Sequence, residues 1–133
     1  MTVMVNFNDQ LRVRGENMSI LELKRAAKDF IQNPYGDIHK SELAPKEVDG
    51  LGTVNISKGV ISLQNDNNTS YEMYIKVQNE LTAAFNELRD ELSKEHFGVK
   101  FSDLTQDSKR DAIQEAVPMR ISEAEPKDYG GKK

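Results

Sequence analysis

The stretch Val3-Met4-Val5-Asn6-Phe7-Asn8-Asp9-Gln10-Leu11-Arg12-Val13-Arg14 decides the fold. Val3, Val5 and Phe7 alternate with Met4 and Asn6, so they fall on one side of a strand. Asn8-Asp9-Gln10 reads as a polar turn. Leu11 and Val13 then alternate with Arg12 and Arg14. Two short strands across a tight turn predict a β-hairpin with one buried face. Gly15-Glu16-Asn17 reads as a second turn.

Working outward, Ser19 opens a helix. Ser19 and Glu22 have capping-box spacing, and Met18 and Leu23 stand where a hydrophobic staple would. Ile20, Leu23, Ala27, Phe30 and Ile31 form an apolar stripe, which Asn33-Pro34 ends. Residues 34–53 hold Pro34, Gly36, Pro45, Gly50 and Gly52, and read as a long loop. A strand is predicted at about 60–64, preceded by a shorter strand or an extended lead-in from Val54. Asn65-Asp66-Asn67-Asn68 reads as a strand-to-helix turn, and Thr69 with Glu72 repeats the capping-box spacing.

A long helix follows to about Phe97, with Tyr74, Val77, Leu81, Ala84, Phe85, Leu88 and Leu92 on one face and Gly98 at its end. A short helix at about Gln106–Ala116 is closed by Pro118, and Met119–Ala124 reads as a last strand. The order β-β-α-β-α-(α)-β predicts an α+β domain. It would be a two-layer α/β sandwich, a small mixed sheet with helices on one face. Residues 1–124 form one domain on this reading, with 98–117 a helical insert and 125–133 a disordered tail.

Composition narrows the function. The net charge is −4 and both signs are spread along the chain, which speaks against nucleic acid as a partner. The chain has no cysteine, so thiol catalysis, disulfides and Cys-ligated zinc are excluded. No run of about 18 apolar residues offers a membrane span. The start lacks the charged and apolar regions of a signal peptide. The residues are consistent with a small cytosolic protein or with a domain of a longer one.

Catalytic motifs are missing: there is no phosphate-binding glycine loop and no nucleophile elbow. His39 has Asp37 and Glu42 nearby but no second histidine or cysteine at ligand spacing, so a solvated loop histidine explains it. His96, in the last turn of the long helix, suits the negative end of the helix dipole. Asp66 ends a strand, a place that α/β enzymes use, yet its asparagine neighbours make turn formation the simpler role. Tyr74 follows the apolar stripe, whereas Tyr71 sits at the strand–helix junction and could pack on the turn or meet a partner. Arg12 and Arg14 share the polar side of the hairpin. No catalytic residue, metal ligand or cofactor is assigned.

Three stretches, taken in order, resemble the periplasmic domain of the ExbD/TolR family, in the version found in Bacteroidetes-type bacteria. The first is Val3–Leu23, a hairpin followed by a Gly15-Glu16 turn and the Ser19-Ile20-Leu21-Glu22-Leu23 helix start. The second is Val60–Tyr71, a strand ending in an acidic turn and entering a helix at a tyrosine. The third is Met119-Arg120-Ile121-Ser122-Glu123-Ala124-Glu125-Pro126, a closing strand and its proline. Each motif is weak alone; their order carries the resemblance, which covers most of residues 3–126.

The resemblance implies the periplasmic domain of a single-pass inner-membrane protein, whose membrane helix and functional aspartate are not in this chain. It implies a non-enzymatic role in a proton-motive-force-driven complex that supports transport across the outer membrane. The implied partners are an ExbB-like channel subunit, reached through the membrane helix, a TonB-like protein and a second copy. A TolR-like role implies peptidoglycan instead. The family engages partner segments by strand addition, which places Met119, Arg120, Ile121 and Ser122 in a partner or dimer strand. An ordinary closing strand is the alternative. Asp66, Thr69 and Tyr71 mark the strand–helix junction. Segments 34–53 and 98–117 are longer than the family core.

Overall fold

A computed structural model describes residues 1–6, 8, 10–65 and 70–123. The first strand, β1 (Thr2–Val5), pairs antiparallel with β2 (Leu11–Val13), and β2 pairs antiparallel with β3 (Glu16–Met18). Between β1 and β2 the Asn6 side chain organises the turn. Its Oδ1 accepts the amides of Asn8 at 2.9 Å and Gln10 at 3.0 Å. Phe7, expected on the buried side, lies outside the described residues.

The predicted second turn at Gly15-Glu16-Asn17 is corrected. Arg14 and Gly15 make the turn, with φ of 55° and 84°. Two consecutive positive φ values match the twist of a right-handed hairpin, so the chain doubles back at once and Glu16–Met18 becomes a third strand.

Helix α1 (Ile20–Gln32) begins after Ser19, whose amide donates to Glu22 Oε2 at 3.4 Å, the return half of a capping box. It ends at Asn33 in the left-handed conformation. Leu23, Ala27, Phe30 and Ile31 are buried, as the stripe requires.

Residues 34–53 are not one long loop, which is a further correction. Strand β4 (Leu43–Val48) pairs antiparallel with β5 (Gly52–Ser57) in a separate two-stranded sheet. Gly50, at φ 92°, provides the left-handed residue of its turn. Strand β6 (Ile61–Asn65) follows. Helix α2 (Tyr71–Phe97) starts from Ser70, whose hydroxyl accepts the Met73 amide at 3.1 Å, and ends at Gly98 with φ 77°. The cap is thus Ser70; Thr69 lies outside the described residues.

A 3-10 turn at Phe101–Asp103 leads to α3 (Asp107–Ala116) and then to β7 (Ile121–Glu123). The Phe101 ring lies between two guanidinium groups, Arg89 at 5.5 Å and Arg110 at 4.5 Å from its centroid. Asp90 Oδ1 accepts the Phe101 amide at 3.0 Å, which ties this turn to α2. The tail at 125–133, expected to be disordered, lies outside the described residues, as does Ala124.

The main sheet has the order β3-β2-β1-β6-β7, with β6 parallel to both β1 and β7. Val3, Val5, Leu11, Val13, Ile61 and Leu63 turn inward to meet α1 and α2 in one core. Alternate residues such as Met4 and Arg12 face away from it. The domain is therefore the expected α+β sandwich with a mixed sheet, extended by the β4–β5 hairpin. A second small cluster, Val48 and Ile56 with Ala112, fastens that hairpin to α3. No helix among the described residues is long and apolar enough to cross a membrane.

Candidate interaction site

Strand β7 closes the main sheet and, among the described residues, has only β6 beside it. Its register is Ile61↔Ile121, Ser62↔Ser122 and Leu63↔Glu123, and the Ile61 amide donates to the Arg120 carbonyl at 2.9 Å. In a parallel ladder this phase turns the main-chain groups of Arg120 and Ser122 toward β6. The N–H and C=O of Ile121 and Glu123 point to the open margin. Among the described residues these groups meet no second strand, which is what an added strand needs. Met119 and Arg120 precede the strand and are exposed, and the Ser122 side chain is exposed as well.

The strand is also held from α2. The Tyr74 hydroxyl donates to Glu123 Oε1, and Gln78 Nε2 donates to the same carboxylate at 3.1 Å and 3.3 Å. The Ile121 side chain points the same way and packs on the core. Upstream, Arg89 Nε donates to the Val117 carbonyl at 2.9 Å and fixes the connector between α3 and β7. The first residue, Met1, flanks the same strand β6 from the other side; its ammonium donates to the Val60 carbonyl at 2.9 Å.

Reading the sequence alone placed the partner strand at residues 119–122 but missed Glu123 and its two partners on α2. Gln78 and Tyr74 are four apart, which puts them on one helix face, and this spacing was the available signal. The strand–helix junction is only partly visible. Asp66 and Thr69 lie outside the described residues, and Tyr71 is 78% exposed at the start of α2.

The His39 loop has a structural role for its acid. Asp37 Oδ1 accepts the His39 amide at 2.8 Å, and that bond holds the Asp37 carboxyl below its usual pKa. No group of three or more His, Cys, Asp or Glu side chains suited to a metal ion occurs among the described residues.

A groove of about 600 Å³ lies elsewhere, between the β4–β5 hairpin and the C-terminal half of α2. Its apolar floor includes Ile31, Leu43, Val54, Leu88 and Leu92. Glu91, Glu95 and His96 stand along one side, and Ala116-Val117-Pro118 close one end. Sequence reading missed it, because one wall is the hairpin, whose first strand fell in the segment read as loop. The Val48-Asp49-Gly50 run was the overlooked turn signal.

Compared with protein-family models, curated proteins and solved structures, the chain matches none.

Proposed function

We propose that this chain is a non-catalytic protein-interaction domain of the ExbD/TolR type, acting in the periplasm as part of a proton-motive-force-driven inner-membrane complex. In this role it couples an ExbB-like channel subunit, through a membrane helix outside this chain, to a TonB-like partner. Force or position is passed on by main-chain pairing, and no covalent bond is made or broken.

The observation that carries the reading is the position of β7. It is the last strand among the described residues, it lies at the margin of the mixed sheet, and Ile121 and Glu123 present their main-chain groups outward. The ordered motifs of the sequence support the family assignment. The two-layer sheet-and-helix architecture is compatible with it. A second copy pairing through the same margin would give a symmetric dimer.

The test joins two measurements. Sedimentation velocity over a range of concentrations reads self-association. Titration with a TonB-like proline-rich or β-strand peptide, followed by the amide signals of Ile121 and Glu123, reads strand addition. The expected result is association in at least one assay with shifts at those two amides. A strict monomer without peptide affinity overturns the reading.

A further inference from the structure

We infer that the chain carries a second strand-addition site, independent of β7: the outer margin of β5, which takes an extended peptide that alternates apolar and basic side chains. The hairpin's hydrogen-bond phase sets which main-chain groups face outward. Lys58 N–H donates to the Glu42 carbonyl at 2.8 Å, just outside the paired strands. Antiparallel pairs alternate between bonded and non-bonded. In the observed register, Ala44↔Ile56, Lys46↔Val54 and Val48↔Gly52 are therefore the bonded pairs. Pro45 falls opposite Asn55 in a non-bonded pair, where its missing N–H costs the ladder nothing.

Two consequences follow for the margins of this small sheet. On the β4 side, Pro45 removes a donor and obstructs pairing. On the β5 side, the main-chain groups of Thr53, Asn55 and Ser57 point away from β4. Those of Thr53 and Asn55 meet no backbone partner among the described residues.

That open margin faces the groove. The consecutive residues Thr53, Val54 and Asn55 all line it, as does Ser57, although neighbouring side chains on a strand point to opposite faces. Leu43 of β4, opposite Ser57, lines it too, so the groove covers one face of the hairpin and reaches round the β5 flank through Val54. A peptide lying there would be the third strand of the hairpin, with α2 as the opposite wall. Its volume of about 600 Å³ is within the range of ligand clefts, about 300–1,000 Å³.

Charge selects the occupant. The α2 wall offers Leu88 and Leu92 for an apolar side chain, with Glu91 and Glu95 beside them. Glu91 already pairs with Lys28, but Glu95 has no ion-pair partner among the described residues. The groove also approaches the last turn of α2, the negative end of the helix dipole. Lysine or arginine on the peptide is favoured there, and acidic peptides are disfavoured.

The test uses the whole chain and a fluorescein-labelled heptapeptide of alternating lysine and valine. The expected result is saturable binding by fluorescence anisotropy, with amide shifts at Thr53, Asn55 and Ser57. N-methylating the valine amides of the probe keeps its charge but blocks main-chain pairing, and weakens binding by about tenfold or more. Glu95→Lys weakens the lysine peptide by about tenfold and improves an alternating glutamate–valine peptide.

Asn55→Pro removes one outward donor without touching the bonded pairs, and acts like the N-methyl probe. Four results each overturn the inference. The first is no binding, and the second is binding indifferent to N-methylation. The third is shifts confined to Ile121 and Glu123, which would assign the probe to β7. The fourth is self-association through β5 that excludes the peptide.

Discussion

The Tyr74 hydroxyl on α2 donates to the carboxylate of Glu123, the last residue of β7, so the margin strand is fastened through a side chain as well as through its ladder. The ladder itself is three residues long. Tyr74→Phe should therefore leave the fold intact and loosen β7, at a cost of about 1 kcal/mol. Hydrogen exchange at the Ile61 amide, which donates to Arg120, should accelerate while the amides of α1 stay protected. Equal exchange in the two proteins would mean that the ladder alone holds the strand.

Asn33 does two things at the end of α1. Its backbone takes φ 40°, and its side chain bridges the following loop. Nδ2 donates to the carbonyls of Asp37 and Ser41, each at 2.9 Å, while Oδ1 accepts the Asp37 amide at 2.8 Å. Asn33→Ala should lose about 2–3 kcal/mol, from three unmade bonds and a strained left-handed backbone. Asn33→Gly should recover about 1 kcal/mol of that, because glycine tolerates the backbone but supplies no side chain. Urea denaturation of the three proteins would show the order, and an identical loss for both variants would rule out the backbone contribution.

Gly59 is required for space. A Cβ there would stand 2.6 Å from Ser41 Oγ and 2.8 Å from Phe30 Cε2. The Gly59 amide also donates to Ser41 Oγ at 2.8 Å, so Ser41 cannot turn aside without losing that bond. Gly59→Ala should cost about 1–3 kcal/mol. Gly59 joins β5 to β6, so the loss should appear in thermal melts as lower cooperativity or midpoint, and an unchanged melt would contradict the packing argument.

Between α1 and α2, Glu87 lies against two lysines. Lys28 Nζ is 3.2 Å from Glu87 Oε1 and 2.6 Å from Glu91 Oε2, and Lys24 pairs with the other Glu87 oxygen. The Lys24 hydrogen bond is the main cause that holds the Glu87 carboxyl below the usual glutamate pKa of 4.5. Its folded pKa is depressed, so its stabilisation is present above about pH 4.5 and is lost as pH falls through the folded value. Lys28 is raised above 10.5, chiefly by its bond to Glu91, and its contribution disappears only as pH rises through that folded value. The pairs are partly exposed, so the acid-side effect should stay below about 1 kcal/mol and shrink in salt. Glu87→Gln should flatten the decline of melting temperature between about pH 6 and pH 3. An equal decline in both proteins would show that other carboxylates dominate.

The core was legible because it is periodic. Val3, Val5, Leu11 and Val13 alternate, Leu23, Ala27, Phe30 and Ile31 repeat at helical spacing, and all are buried. Strand β3 was not legible: Glu16-Asn17-Met18 is short, polar and marginal, and an Arg14-Gly15 turn lacks the asparagine or aspartate that usually marks such a hairpin. The lead-in strand from Val54 was legible and forms most of β5, but its pairing with β4 was hidden by Pro45 and by a distant packing partner. The hairpin's apolar residues Val48 and Ile56 are buried against Ala112, far along the chain, so no local window contains the reason for the pairing. The closing strand was legible as a candidate edge, and it runs over Ile121–Glu123 at the margin of the main sheet. Which residues face outward depends on register, which a single-sequence reading does not contain.

The parallel pairings have a consequence in time. Strand β1 meets β6 only after α1 and the hairpin have been traversed, and β6 meets β7 only after all of α2 and α3. Pairings so remote in sequence slow the search for the native state, since loop closure must precede any gain from contact. On a ribosome, the sheet would wait for β7, and β6 would stand with a bare flank until residues 121–123 emerged. Any protein able to lend a short strand during that interval would find its place vacant.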